Sequence, residues 1–213
     1  MGAVLSTVGS FLFMAIVAIS IENAVFFRAL GVSRLLKLVN DGTVNALIFG
    51  IILCVVEIIS GVLAHFAYRL VQLYVPEFWR APVIPLVMVM CTVVAFLLVL
   101  LFCMTVLLKN EEWLTNGRIK EVLAALPLAA FNCCVLGVLY ITTTQRFTLL
   151  QTIGFAIGAA IGYVMAVLVV TEGQRKINND NVPKAFKGLP VNLIYIGIFA
   201  LAIYAFTGNM KLS

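Results

Sequence analysis

Six apolar stretches, each about long enough to cross a lipid bilayer, constrain this chain more than any other feature. A helical crossing of the bilayer core takes about 20 apolar residues. The sequence is 63% hydrophobic and 11% charged, whereas soluble domains carry roughly 25% charged residues. The sequence therefore predicts an all-α membrane protein with six transmembrane helices, forming a single domain over residues 1–213. The stretches cover residues 4–27, 43–68, 81–108, 122–141, 149–171 and 191–207.

The polar segments between these stretches predict the orientation in the membrane. Ten of the 14 Lys and Arg residues lie in the segments 28–42, 109–120 and 172–190. Cytoplasmic loops carry the excess of basic residues, so both termini are predicted to face outward. The net charge of +5 is small and divided among loops, and it does not indicate a nucleic-acid partner.

The two halves of the chain share a short pattern. Glu22-Asn23-Ala24-Val25, late in the first stretch, is similar to residues 131–135 in the fourth. A Leu-Gly-Val follows each, at residues 30–32 and 136–138. An inverted repeat of three plus three helices, over 1–110 and 118–213, would place interrupted polar helices near the bilayer midplane. The alternative is that two ordinary membrane helices share common residues.

The fifth stretch carries Gly154, Gly158 and Gly162 at intervals of four residues. Residues at this spacing lie on one face of a helix, and small residues there let membrane helices approach closely. We interpret the three glycines as a packing face. Its partner lies either within the chain or in another subunit.

Cys133 and Cys134 are candidate ligands of an iron–sulfur cluster. Such clusters are held by cysteine thiolates, four in the common types, so a partner chain or Cys54, Cys91 or Cys103 would have to complete the set. The alternative is that both are small buried apolar residues, a common role of free cysteine.

Two acidic residues are candidates for an ion pathway. Glu57 lies in the middle of the second stretch, where a charge costs about 2.5–3.5 kcal/mol on insertion scales. It is either an ion-coupling group or a protonated group hydrogen-bonded to a neighbouring helix. Glu22 lies near the end of the first stretch and either joins the pathway or reaches the headgroups, with Arg28 as a cytoplasmic anchor. His65 is interpreted as an interfacial residue, and no soluble catalytic motif is present.

Several short motifs stand out when they are taken together. They are Leu126-Pro127-Leu128 with Asn132-Cys133, Gly154-Phe155, Glu172 to Lys176, Asn181-Val182-Pro183 to Lys187-Gly188, Phe206-Thr207-Gly208, Ile21-Glu22-Asn23 and Leu30 to Ser33. Together they resemble the integral-membrane subunit family shared by the Rnf electron-transport complex and the sodium-pumping NADH:quinone oxidoreductase. The resemblance is strongest from residue 126 onward.

The resemblance implies a concrete function. Members have six helices in an inverted repeat, and two oppositely oriented homologous subunits share a [2Fe-2S] cluster, each offering one cysteine from helix one and one from helix four. The cluster passes electrons between flavin- and iron–sulfur-bearing subunits, and the complex couples electron flow from ferredoxin or NADH to Na⁺ or H⁺ movement. The predicted orientation, with both termini outward in a bacterial or archaeal inner membrane, is similar to that of the A-type Rnf subunit and of the E-type subunit of the sodium pump. Such a subunit is not catalytic alone.

The chain departs from this family in its first helix. The family's Gly-x-Cys-Pro stretch is missing, because Phe27-Arg28-Ala29 runs directly into Leu30. Only Cys133 carries over as a ligand, with Asn132 beside it in a helix break. Two hypotheses follow: a membrane subunit of an Rnf-like complex, or a cluster-free paralogue that acts as a small-ion or solute transporter or an accessory subunit.

Overall fold

All regular secondary structure in the described residues is helical. The computed structural model describes residues 2–41, 45–109, 117–177, 183 and 186–207. The all-α prediction is confirmed for these residues. The helices are α1 (Gly2–Ser20), α2 (Val32–Asp41), α3 (Ala46–Tyr74), α4 (Glu77–Lys109), α5 (Gly117–Ala130), α6 (Cys133–Thr144), α7 (Leu149–Ile177) and α8 (Leu189–Thr207).

Three of these helices, α3, α4 and α7, are long and apolar enough to cross a membrane. The pair α5 and α6 meets the same criterion when taken together, and it bends by 46° between its two parts. Shorter apolar stretches lie in α1 (Val8–Ser20) and α8 (Leu189–Ala205). The described residues thus contain three spans, or four with the bent pair, and the count of six stays a prediction.

The first predicted stretch differs from the structure at its end. Helix α1 ends at Ser20, and residues 21–31 leave the helix before α2 begins. The sequence predicts a loop over 28–42, but residues 32–41 are helical. The reason is amphipathicity, because Leu35 and Leu36 are buried in the core while Lys37 is exposed.

Helix α7 is the central element, and it packs against α1 along the glycine face. A Cβ atom at Gly154 would lie 2.6 Å from the carbonyl oxygen of Phe11. At Gly162 it would lie 3.4 Å from the carbonyl oxygen of Ala18. The contacts advance along both helices together, so α1 and α7 run parallel. The structure places the partner of the glycine face within the same chain.

On its other side α7 packs against α3, which runs in the opposite direction. Gly50 of α3 faces Val164, and Gly61 faces Thr152 near the other end. The largest fully buried side chains, Tyr163, Phe49 and Phe155, lie in and around this contact. Of the motif residues that carry the family resemblance, residues 181, 182, 184, 185 and 208 lie outside the described residues.

Candidate functional site at two helix breaks

The first helix break, residues 21–31, is organised by Asn23. Its Oδ1 accepts hydrogen bonds from the backbone N–H groups of Val25 (3.0 Å) and Phe26 (3.1 Å). Its Nδ2 donates to the carbonyl oxygens of Ile19 (3.0 Å) and Gly162 (3.3 Å). An unpaired backbone group in an apolar interior costs about 1–3 kcal/mol. One buried amide therefore satisfies backbone groups that the end of α1 exposes, and it joins the break to α7.

The second break separates α5 from α6 at Phe131 and Asn132. Asn132 is the N-cap of α6, and its Oδ1 accepts a hydrogen bond from the backbone N–H of Cys134 (3.2 Å). Asparagine is among the preferred N-cap residues because its short side chain reaches these N–H groups. The structure therefore has a helix break at Asn132, beside Cys133, where the sequence led us to expect one.

The two breaks meet at Gly31. Its N–H donates to the Cys133 Sγ atom (2.9 Å), and its carbonyl oxygen accepts from the Tyr163 hydroxyl (3.0 Å). Gly31 has a φ of +74°, in the left-handed region that favours glycine. A Cβ atom there would lie 2.6 Å from the Tyr163 ring and 3.0 Å from Asn132 Oδ1. The approach of the two breaks therefore depends on glycine at this position.

The two adjacent thiols point in different directions. Successive residues of an α-helix are about 100° apart around its axis. Cys133 is exposed, whereas Cys134 is fully buried. Within the described residues, no group of three or more His, Cys, Asp or Glu side chains could hold a metal ion.

Cys133 lies in an open groove beside the first break. Its sulfur accepts the hydrogen bond from the Gly31 N–H, and the thiol remains accessible from the groove to a ligand or a neighbouring protein. The other lining residues are Arg28, Leu30, Leu136, Gly137, Tyr140 and Ile141.

Glu57 lies on the interior side of the same site. Its side chain is completely buried in α3, beside the Cys134 thiol. Neither carboxyl oxygen has a hydrogen-bond partner within the described part of the chain, and a thiol is only a weak donor. A buried carboxyl without strong partners is able to take up a proton or a small cation.

Glu22 has a different environment. It is 9% exposed, and its carboxylate forms an ion pair with Arg28, with 2.6 Å between Oε2 and the guanidinium Nη2. The two residues are six positions apart along the chain, so their ion pair links the two ends of the first break. Arg28 is thus an ion-pair partner of Glu22 as well as a candidate cytoplasmic anchor.

Tyr163 and Gly31 connect the breaks. From the sequence, Tyr163 was not singled out, and Gly31 was noted only as part of the Leu-Gly-Val pattern at residues 30–32 and of the Leu30 to Ser33 motif. The Tyr163 side chain is completely buried. The sequence offered one indication of its role, because Tyr163 directly follows Gly162 on the helix that carries the glycine face. A tyrosine buried in a membrane helix needs a hydrogen-bond partner, and the carbonyl of Gly31 supplies it.

Comparison with known proteins identifies the family of this chain. The model of the family described as Rnf-Nqr subunit, membrane protein, matches residues 11–210. The A-type subunit of the Na⁺-translocating ferredoxin:NAD⁺ oxidoreductase complex of Acetobacterium woodii is 37% identical over 87 residues, which are 41% of this chain and 45% of the relative. The A-type subunit of the ion-translocating oxidoreductase complex of Vibrio cholerae O1 (strain El Tor Inaba N16961) is 34% identical over 87 residues, again 41% of this chain and 45% of the relative.

The corresponding protein of Syntrophotalea carbinolica is 36% identical over 83 residues, 39% of this chain and 43% of the relative. In each case the matched region spans less than half of the relative's own length. The family model, in contrast, covers both helix breaks, the glycine face and the C-terminal helix. This chain therefore belongs to the Rnf-Nqr family of membrane-protein subunits.

Proposed function

We propose that this chain is a membrane subunit of an Rnf-like ion-translocating electron-transport complex, in the place of the A-type subunit. The observation that carries the proposal is the family match over residues 11–210, which includes both helix breaks. The relatives are named as A-type subunits of ion-translocating oxidoreductase complexes. In this role the chain is not an enzyme by itself. It contributes to a complex that couples electron transfer between ferredoxin and NAD to the movement of Na⁺ or H⁺.

The proposed topology has six spans in an inverted repeat, in a bacterial or archaeal inner membrane with both termini outward. The first span is α1 with the residues that follow it to position 27, and α5 and α6 together form the fourth, interrupted span. Helix α6 connects to α7 through a short turn, so it runs opposite to α7 and therefore opposite to α1. Asn23 and Asn132 each accept a hydrogen bond from the N–H two residues further on. Opposite direction with the same local geometry supports the repeat.

A reporter fusion tests the proposed orientation. A reporter active only outside the cytoplasm, fused after Ser213, is expected to be active, and a cytoplasmic reporter at the same place to be silent. The reverse pattern would contradict the orientation. The same reporters inserted between α7 and α8 are the internal control, because the opposite result is expected there.

The proposed partners are a homologous membrane subunit of opposite orientation and the flavin- and iron–sulfur-bearing subunits of the complex, all within or against the lipid bilayer. The exposed Cys133 groove supports a contact on this side, because it opens the helix-break region to a neighbouring protein. No nucleic-acid partner is part of the proposal.

The cofactor proposed from the family resemblance is a [2Fe-2S] cluster shared with the partner subunit. The described residues do not fit the usual contribution of two thiolates. Cys133 is accessible, but Cys134 points into the core, and residues 21–31 contain no cysteine. The chain offers one thiolate at the breaks, so three further ligands would have to come from elsewhere.

Iron analysis tests the cofactor. If Cys133 is a ligand, the purified complex contains an additional iron–sulfur signal in electron paramagnetic resonance that Cys133→Ser removes. Cys103→Ser, which changes a half-buried thiol in α4, is the matched control and should keep the signal. Equal iron content and spectra in the wild type, Cys133→Ser and Cys103→Ser would contradict cluster binding by this chain.

The ion pathway is proposed to include Glu57, with Glu22 as a second member. The complete burial of Glu57 and its two unpaired oxygens support this role. Ion uptake into inverted membrane vesicles, driven by reduced ferredoxin and NAD⁺, is expected to require this chain and to fall strongly in Glu57→Gln. Glu172→Gln, which changes an exposed acid paired with Arg175, should leave uptake unchanged. Normal coupled uptake without this chain would refute its place in the complex.

A cluster-free transporter is the second candidate, and the presence of only one accessible thiol at the breaks favours it. In that case the chain alone, reconstituted in liposomes, carries a cation flux that Glu57→Gln abolishes and Cys133→Ser does not. The proposal of a complex predicts no such flux from the isolated chain.

A further inference from the structure

A polar cavity lies at one end of the molecule, away from the helix breaks. It has a volume of about 230 Å³ and lies between the second half of α3 and the turn that joins α6 to α7. Its lining residues are Gly61, His65, Tyr68, Arg69, Gln72, Thr142, Thr143, Arg146, Phe147, Thr148 and Thr152. His65 is 19 residues beyond the start of α3, which is about 28 Å along the helix. Since a bilayer core is about 30 Å thick, the cavity lies at headgroup level.

The lining of the cavity is positively charged and contains no acidic residue. His65 and Arg69 are one turn apart on α3, and Arg146 comes from the turn, where it has a φ of +53°. The ion pairs found in the described residues involve Arg28, Arg80 and Arg175. Glu77, which follows shortly after α3, is one of the partners already engaged, with Arg80. Within the described part of the chain, two guanidinium groups therefore line the cavity with their charge uncompensated.

The hydrogen-bonding groups are divided into donors and acceptors. The Tyr68 hydroxyl accepts a hydrogen bond from Gln72 Nε2 (2.7 Å), so its own proton is free to be donated. The hydroxyls of Thr142, Thr143 and Thr152 donate to backbone carbonyls of their own helices or turns. Their oxygens are therefore available only as acceptors. The cavity thus combines cationic donors suited to phosphate oxygens with acceptors suited to hydroxyl groups.

An apolar crevice adjoins this cavity between α3 and α4. The two share Tyr68 and Thr143, and the other crevice residues are Ala64, Val71, Ile84, Val87 and Met88. A free phosphate ion would use only the polar part. The crevice has a volume of only about 10 Å³, too small for a hydrocarbon chain. A molecule with a phosphate headgroup and a hydrocarbon chain would instead place its chain against Phe66, Leu70 and Leu73, the exposed apolar side chains on the same turns of α3.

We propose that this cavity binds the phosphate headgroup of an anionic phospholipid, with hydrocarbon of the same lipid against the exposed apolar side chains of α3. Arg69 and Arg146 bind the phosphate oxygens, and Tyr68 and His65 add hydrogen bonds. The threonine oxygens accept from headgroup hydroxyls, which favours phosphatidylglycerol over phosphatidylcholine. This site is independent of the proposed role in electron transport, and its test does not depend on that role.

Native mass spectrometry of the full chain in mild detergent tests the site, with thermal stability measured in parallel. The wild type is expected to bind phosphatidylglycerol more tightly than phosphatidylcholine. The double variant R69Q/R146Q should weaken phosphatidylglycerol binding about 30-fold, because each cation near an anionic lipid contributes about fivefold. The variant R175Q loses one charge at the opposite end of α7 and should bind as the wild type does.

Four results would overturn the proposal. The first is equal binding of the two lipids by the wild type. The second is equal loss in R175Q, which would indicate a general charge effect. The third is full stabilisation by inorganic phosphate with no further effect of phosphatidylglycerol, which would make the ligand a free phosphate. The fourth is loss of the lipid preference in R69K/R146K. This variant keeps both charges and is therefore expected to keep the preference. Circular dichroism and size-exclusion elution of each variant exclude misfolding as the cause.

Discussion

Substitution of Gly158 by alanine tests how closely α1 must approach α7. A Cβ atom at this position would lie 2.8 Å from the Ala18 Cβ atom and 2.9 Å from the Ala15 Cα atom, and it would meet the Ala15 carbonyl oxygen more closely still. Since two of these three atoms belong to the backbone, no side-chain rotation relieves the contact, and the two helices must separate. Overpacking of this kind costs about 1–3 kcal/mol.

Gly197 of α8 provides a matched control, because a Cβ atom there meets nothing within 4 Å. Both substitutions gain the same difference in helix propensity, about 1 kcal/mol. The difference in unfolding free energy between Gly158→Ala and Gly197→Ala therefore isolates the steric cost, and we expect about 1–3 kcal/mol in favour of Gly197→Ala.

Reversible unfolding in mixed detergent micelles, followed by circular dichroism, measures this difference. Equal stability of the two variants would refute the close approach of α1 to α7. Gly158→Leu should increase the destabilisation. It should also weaken the hydrogen bond from Asn23 to the Gly162 carbonyl, because Gly158 and Gly162 lie on the same face of α7.

Other predictions concern the meeting of the two breaks. Asn132→Ala removes the N-cap of α6 and should destabilise the protein by about 1 kcal/mol, measured by the same unfolding assay. Tyr163→Phe removes only the hydroxyl that donates to Gly31 and should cost about 0.5–1.5 kcal/mol; an unchanged stability would contradict that hydrogen bond. Labelling with N-ethylmaleimide, followed by peptide mass spectrometry, should modify Cys133 well before Cys134, and equal rates would contradict the burial of Cys134. Gly31→Ala should destabilise more than Asn132→Ala, because it combines a left-handed φ with contact against the Tyr163 ring.

The sequence was sufficient to predict the helical membrane fold, because hydrocarbon requires long apolar segments whatever their packing. The family resemblance also implied a helix break at Asn132, and the structure has one there. The helical nature of residues 32–41 was missed. Arg34 and Lys37 made this segment read as a loop, although Leu35 and Leu36 lie on one face and become buried.

The contacts between the breaks could not be predicted from local pattern. The hydrogen bond from Gly31 to Cys133 joins residues 102 positions apart. Nothing near Glu22 revealed that Arg28 would turn back to form an ion pair with it. The divergence of Cys133 and Cys134 follows from helix geometry, but which of the two faces outward depends on where α3 and α7 pack. These features are tertiary, and they decide which predicted site residues are brought together.

Affinity purification of the tagged chain from its native membranes tests the central proposal most directly. Mild-detergent extraction followed by mass spectrometry is expected to recover a homologous membrane subunit together with flavin- and iron–sulfur-bearing subunits, in a particle that transfers electrons from ferredoxin to NAD⁺. Recovery of the chain alone, or as a homo-oligomer with no redox subunits under conditions that keep other respiratory complexes intact, would contradict its assignment to such a complex.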